Sequence, residues 1–170
     1  MQPIPELSSV EPLTGKHDVG RFDCGVHESL NDWLKRYALI NQANESTKTY
    51  VVHRDSVVVG YYSISAGSVE KQEATPRVAR GLANHPVPVA VLTRLAIDKG
   101  EQGQGLGKAL LKDALLRIRQ AASIIGIRAV LVHAIDESAR EFYKKFDFEQ
   151  CPAHDLHLML LMKDLRAMLA

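Results

Sequence analysis

Val87-Pro-Val-Ala-Val-Leu-Thr-Arg-Leu-Ala-Ile97 passes through Asp98-Lys-Gly-Glu101 into Gln102-Gly-Gln-Gly-Leu-Gly107, and then into Lys108-Ala-Leu-Leu-Lys-Asp-Ala-Leu-Leu-Arg117. The first part is apolar, partly β-branched and of strand length. The last places Leu110, Leu111, Ala114, Leu115 and Ile118 at i, i+3, i+4 spacing, which predicts a helix over 108–120. Between them stand three glycines in five residues. A strand entering a helix through such a loop offers the unpaired N–H groups of the first turn to a ligand. Glycine lets those amides turn toward one point, because positive φ costs it little. The helix dipole adds partial positive charge in the same place. The segment suits a phosphate.

Two common phosphate loops fail on spacing. A Walker A loop needs Gly-x-x-x-x-Gly-Lys-Ser/Thr, but here Gly107-Lys108 is followed by Ala109 and the first position is Gln102. The dinucleotide fingerprint Gly-x-Gly-x-x-Gly, counted from Gly103 and Gly105, puts Lys108 where its third glycine belongs. What stands here is Gln-x-x-Gly-x-Gly, formed by Gln102, Gly105 and Gly107. That pattern, after a strand and opening a helix, resembles the pyrophosphate loop of the GNAT family of N-acetyltransferases, which bind acetyl-CoA.

Upstream, residues 1–20 hold three prolines, and a first edge strand is expected around Ile4–Val10. Phe22-Asp-Cys-Gly25 reads as a turn. Leu30, Trp33, Leu34, Tyr37 and Ala38 share one face of a helix over His27–Ala38, and polar Asn41–Lys48 reads as a loop. Thr49–His53 and Val57–Ser65 form a hairpin about Arg54-Asp55-Ser56, with Gly60 marking a bulge. Residues 67–86 read as a long irregular connection with one helical turn near Arg77–Leu82. Connections of that length in compact domains tend to be functional.

Downstream, Arg128–Ile135 is a second buried strand. A helix follows to Phe146, capped by Asp136 or by Ser138, whose spacing to Glu141 fits a capping box. Phe148–Cys151 and His157–Met162 read as closing strands and Lys163–Leu169 as a terminal helix. Strands first antiparallel, then joined through crossover helices, predict an α/β fold: a twisted mixed sheet with helices on both faces. At 170 residues, the chain is expected to form one domain spanning 1–170.

Composition bounds the function. Apolar residues make up 46%, charged residues 24%, and the net charge is +1, so no global basic excess announces a nucleic acid and any such contact must be local. Cys24 and Cys151 are too few for a disulfide framework and lack metal-ligand spacing. The opening Met-Gln-Pro-Ile-Pro-Glu has neither a basic nor an apolar signal region. Thr93 and Arg94 interrupt the longest apolar run, well short of a membrane span. A cytoplasmic protein with no membrane segment is the expectation.

The likeness sharpens on further motifs. Arg94-Leu-Ala-Ile-Asp98, Ile125-Gly-Ile-Arg128, Ala134-Ile-Asp136, Phe142-Tyr-Lys-Lys-Phe146 and the Phe22–Gly25 turn resemble the acetyltransferase toxins of type II toxin–antitoxin modules, over roughly Arg21–Leu165. The resemblance implies the GNAT fold, acetyl-CoA as cosubstrate and acetylation of the amino group of aminoacyl-tRNA, which blocks translation. It also implies a ribbon-helix-helix antitoxin as partner and a homodimer. Two positions depart from the pattern: Thr93, where a smaller residue is frequent, and Asp147, where Phe-Gly-Phe is usual.

Acetyl transfer from a thioester needs a neutral amine, donors for the carbonyl oxygen and a proton for the leaving thiolate. Backbone amides of Leu95, Ala96 and Ile97 can serve the oxygen. Gln102, Gly103, Gln104, Gly105, Leu106, Gly107 and Lys108 form the expected cofactor loop. By family position Tyr143 is the proton donor, a phenol protonated at neutral pH, although periodicity alone makes it part of an apolar stripe. Phe142 is packing or a cofactor contact. No residue stands out as general base, and water can serve an aminoacyl ester. His133 reads as a core histidine. His154-Asp155-x-His157 lies in an irregular stretch with no cysteine to help, so no metal is expected. Arg77, Arg80 and Arg94, with Lys71, Lys35, Arg36 and Lys48, are candidates for a basic rim that takes tRNA. Two other readings stay open on residues alone: an acetyltransferase for a small-molecule or protein amine, and a non-catalytic CoA-binding interaction module.

Overall fold

The structure, a computed structural model, describes residues 2–170. In chain order it contains β1 (Glu11–Pro12), α1 (Glu28–Arg36), α2 (Ala38–Ala43), β2 (Lys48–Arg54), β3 (Val57–Val69), a 3-10 turn at Lys71–Glu73 and α3 (Pro76–Ala79). Then follow β4 (Val87–Ile97), a second 3-10 turn at Lys99–Glu101, α4 (Leu106–Ala122), β5 (Ala129–His133), α5 (Glu137–Lys144), β6 (Glu149–Cys151), β7 (His154–Leu161) and α6 (Met162–Met168). The strands form one sheet in the order β1-β2-β3-β4-β5-β7-β6. β4 and β5 are parallel, whereas β1–β2, β2–β3, β5–β7 and β6–β7 are antiparallel. The mixed α/β sheet expected from the strand and helix pattern is the one observed. No helix among the described residues is long and apolar enough to cross a membrane.

Contacts gather into two compact units, one made of residues up to Ser65 with Arg94–Ala114, the other of Ala66–Thr93 with Leu115–Ala170. In the first, Leu13, Phe22, Trp33, Leu34, Val51, Val58, Tyr61 and Ala96 form a core. Trp33 and Leu34 come from the helix face that the spacing predicts. The helix itself stops at Arg36, and α2 occupies the start of the region expected to be a loop. Polarity there reflects bonding rather than solvation: Gln42 donates its amide to the Leu13 carbonyl at 2.7 Å and accepts from the Thr49 amide at 3.0 Å.

The expected strand Ile4–Val10 is reduced to a single bridge from Leu7 to Arg54. Pro3 and Pro5 have no amide to offer a ladder, and true pairing begins only at Glu11. The hairpin turns through Asp55 and Ser56, with φ of 49° and 70°, the left-handed pair that suits the twist of two strands. Its register shifts where Val52 faces Gly60 and His53 faces Val58, leaving Val59 as the extra residue. The bulge therefore falls beside Gly60, and a Cβ on Gly60 would lie 3.0 Å from Val52 and 3.1 Å from Leu110.

In the second unit, Ala74, Val78, Val87, Val89, Ala129, Leu131, Cys151 and Met159 form the core. The connection 67–86 is more ordered than its composition suggests. Strand β3 runs on to Val69, and α3 begins at Pro76 rather than Arg77, with Thr75 accepting from the Val78 amide. Arg128 takes the carbonyls left free at the end of this short helix, Val78 at 2.9 Å and Arg80 at 3.0 Å. Of the two candidate caps for α5, the structure uses Asp136, whose carboxylate accepts from Ala139 at 2.8 Å. The helix ends at Lys144, short of the expected Phe146.

Asp147 follows with φ of 67°, the left-handed residue beyond a helix end that glycine normally supplies. Asp147→Gly should leave stability unchanged or raise it by up to about 1 kcal/mol, because the strain is relieved while the chain gains freedom when unfolded. Thermal melting checks this, and a clear fall in Tm would refute the placement.

Candidate functional site

The glycine loop is built as its spacing implies. Gly103 and Gly105 both hold φ of +82° with nothing within 4 Å of a Cβ placed there. Glycine is required at both by conformation and not by crowding. The first helical bond runs from the Ala109 amide to the Gly105 carbonyl at 3.1 Å. Leu106, Gly107 and Lys108 thus occupy the turn whose amides have no helical acceptor. Gly107 lies inside α4, two residues beyond the last left-handed position.

Gln102 does something the motif did not reveal. Its side-chain amide donates to the carbonyls of Cys24 and Ile97, both at 2.9 Å, so its part in the site is to pin the loop. The same turn is held at several other points. Asp98 accepts from the amides of Asp23 and Gly100 at 3.0 Å each. The Lys99 amide donates to the Asp23 carbonyl at 2.8 Å, and its ammonium lies 3.0 Å from the Asp23 carboxylate. Asn31, fully buried on α1, accepts from the Cys24 amide at 2.8 Å and donates to Asp23. The Gly25 amide and Lys99 hold the Asp23 carboxyl below the usual carboxylate range. Sequence reasoning gave Asp23, Asn31 and Asp98 no role, although Asp23 and Asp98 lie within the Phe22–Gly25 and Arg94–Asp98 motifs and Asn31 is a polar residue on the apolar face of α1.

Strand β4 outlasts its neighbour. Pairing with β5 covers Val89–Leu92 against Ala129–Val132, β5 ends at His133, and β4 continues to Ile97. Leu95, Ala96 and Ile97 therefore have no β5 partner, which leaves backbone groups on that edge for a ligand to pair with.

In the second unit, Tyr143 is 7% exposed. Its ring meets Phe142 edge-on at 5.2 Å and Phe148 at 5.4 Å, and Phe142 continues to Phe146 at 5.1 Å. The ring is core, as the periodicity alone predicts. Thr47 Oγ1 is the one fully buried side-chain polar atom without a partner among the described residues. The Tyr143 hydroxyl, which has no hydrogen bond among them, consequently reaches accessible space. Burial pushes its phenol above the ordinary tyrosine value, so it carries its proton throughout the neutral range.

The cationic candidates divide. Arg77 is engaged by Asp164, at 2.9 Å for one of its contacts, and by Glu149 at 3.2 Å, so its charge is neutralised within the fold. Lys71 donates to the Leu82 carbonyl at 2.6 Å. Arg94 lies half-buried over the Trp33 ring, 4.1 Å from its centroid, an attraction between cation and π face. Arg80, Lys35, Arg36 and Lys48 are exposed.

One cluster among the described residues gathers metal-ligating atoms, namely Glu11, His17 and His53. Both Nε2 atoms lie 2.7 Å from the same Glu11 oxygen. Each Nδ1 accepts a backbone amide, from Thr14 at 2.9 Å and from Ser56 at 3.0 Å. Each Nε2 must then bear the hydrogen and donate to Glu11, so the lone pairs a metal needs are taken. The cluster clips the N-terminal segment to β2. His133 is exposed rather than core, and His154–His157 belongs to β7 rather than to an irregular stretch.

Residues 45–150 match the acetyltransferase (GNAT) domain family, and the chain belongs to that family. It is 48% identical over 162 residues to the tRNA-acetylating toxin of Mycobacterium tuberculosis (strain ATCC 25618 / H37Rv), covering 95% of this chain and 96% of the relative. The solved structure of AtaT complexed with acetyl-methionyl-tRNAfMet superposes with a TM-score of 0.88 at 28% identity, over 97% of this chain and all of that one. A tyrosine-to-phenylalanine mutant of AtaT, bound to the C-terminus of the antitoxin AtaR and acetyl-CoA, gives a TM-score of 0.81 at 29% identity, over 95% of this chain and 97% of that one.

Proposed function

We propose that this chain, as one acetyltransferase domain over residues 1–170, transfers the acetyl group of acetyl-CoA to the α-amino group of aminoacyl-tRNA. In this reading it arrests translation as a toxin in the cytoplasm, acts as a homodimer and is neutralised by a ribbon-helix-helix antitoxin. The observation that carries the reading is the 48% identity to a tRNA-acetylating toxin across 95% of the chain.

Acetyl-CoA supplies the thioester. Its diphosphate suits the amides of Gly103–Lys108, and its amide-bearing arm suits the free edge of Leu95–Ile97. Those edge amides can also stabilise the carbonyl oxygen as charge develops on it, since fixed dipoles need no reorganisation. Attack by the neutral amine forms a C–N bond and breaks the C–S bond; the nitrogen loses one proton and the sulfur must gain one. Tyr143, held protonated, donates its hydrogen to the sulfur and is restored by the proton released from nitrogen.

Transfer of labelled acetyl from acetyl-CoA to charged tRNA tests the reading, together with growth arrest on induced expression; absence of label on tRNA overturns it. If exposed cations grip the phosphates, turnover should fall steeply as salt rises, through counterion release. Arg80→Glu should raise KM for tRNA several-fold and flatten that salt slope. Arg80 is the better test than Arg77, where an added carboxylate would face Asp164 and Glu149 and unsettle the fold. A salt-independent rate would point to a small amine instead.

A further inference from the structure

Three histidines that the acetyl-transfer machinery does not use stand in a column. His133 ends β5, and His157 is the residue directly opposite it on β7. Their rings lie face to face, with centroids 3.9 Å apart and planes 12° from parallel. The His154 ring follows, 4.3 Å from that of His157. His157 is thus the middle ring, and exposed His133 and His154 are the ends. Alternation places His133 on the same sheet face as Ala129 and Leu131, and His157 on that of Met159. This is the face on which Ala74 and Val78 of the long connection pack, so the column shares a side of the sheet with the segment bearing Lys71 and Arg80.

Desolvation first, and repulsion from neighbouring histidines second, hold His133 and His157 below the ordinary imidazole range. These two rings therefore present neutral, flat π surface at neutral pH. A metal is a poor occupant, because imidazole lone pairs lie in the ring plane. His133 and His157, 12° from parallel, send theirs along near-parallel lines instead of toward one ion; the His154 ring is tilted by 36°, and the three are not among the residues whose ligating atoms converge. Flat rings at the end of β5, on the side of the sheet that also carries the connection bearing Arg80, fit an unpaired nucleobase, which stacks on histidine as on other aromatic side chains.

We propose that the His133–His157–His154 column is a stacking platform for an unpaired base at the acceptor end of the RNA substrate. The proposal rests on the aminoacyl-tRNA reading above and adds a contact that selects RNA over a free amine. His133 stands three residues before Asp136, the cap of the helix that carries Tyr143, so a base held there is anchored on the strand that leads into α5.

The test is steady-state acetylation of charged tRNA by H133A, H154A and H133F, each checked for a parental melting curve. H133A and H154A should raise KM for charged tRNA, roughly ten-fold for H133A, with kcat within about two-fold, because stacking acts on binding. H133F, which keeps an aromatic face but no ligating nitrogen, should restore KM. Unchanged KM in folded H133A and H154A overturns the platform while leaving the acetyltransferase reading intact. H133F as poor as H133A, with Zn²⁺ binding to the parent that H133A abolishes, overturns it in favour of a metal site. A parent chain inactive on charged tRNA overturns both.

Discussion

Tyr143→Phe should bind acetyl-CoA as the parent does and lose acetyl transfer by a factor of about 10² or more, the usual worth of a positioned proton donor. Its geometry makes the experiment clean. The ring is locked between Phe142 and Phe148, so phenylalanine fills the same space. The hydroxyl has no hydrogen bond among the described residues, so its removal leaves no orphaned partner. A structural tyrosine would therefore tolerate the change with little effect on anything. Isothermal calorimetry with acetyl-CoA and single-turnover acetylation separate binding from chemistry. Unchanged turnover would remove Tyr143 from the mechanism, and lost binding would make it a cofactor contact instead. On induction, this variant should also no longer arrest growth.

Gly105→Val should weaken acetyl-CoA binding by at least about ten-fold. Gly105 sits at φ +82° in open space, so the added side chain meets nothing. What it meets is its own backbone, since a β-branched residue in that region carries roughly 1–3 kcal/mol of strain. The loop relieves the strain by rotating, and the amides that follow turn away from their common point. Gly105→Asn, which tolerates left-handed φ better, should fall between parent and valine. Calorimetric titration with CoA gives the order directly. Valine binding as well as glycine would mean that the diphosphate lies elsewhere.

Much of this was legible before any coordinates. The strand, glycine loop and helix of 87–120 are coded by neighbours in sequence: β-branched residues, positive-φ glycines and a helical stripe. The hairpin at Asp55-Ser56 was legible for the same reason. Failures came where a residue's partner lay far along the chain. Gln42 looked like loop polarity because the backbone it serves belongs to residues 13 and 49. Arg77 looked like a free cation because Asp164 follows it by 87 positions. His133 looked like core because a run of apolar neighbours hid the strand's end. His154 looked irregular because the closing strand read from His157 begins three residues earlier, where its pairing with β6 starts. Family likeness named Tyr143, but only packing shows its ring enclosed and its oxygen free.

The bracing of Gln102 against Cys24 and Ile97 has a thermodynamic consequence. A flexible glycine loop that closed on its ligand would lose chain entropy at the moment of binding. Here the Phe22–Gly25 turn, with Asp98 and Asn31, braces the loop during folding, so in the proposed reading little disorder remains for a diphosphate to quench. On that reading the donor nucleotide meets a receptor already shaped for it, and its affinity is set partly by Cys24, 78 positions before Gln102 in the chain.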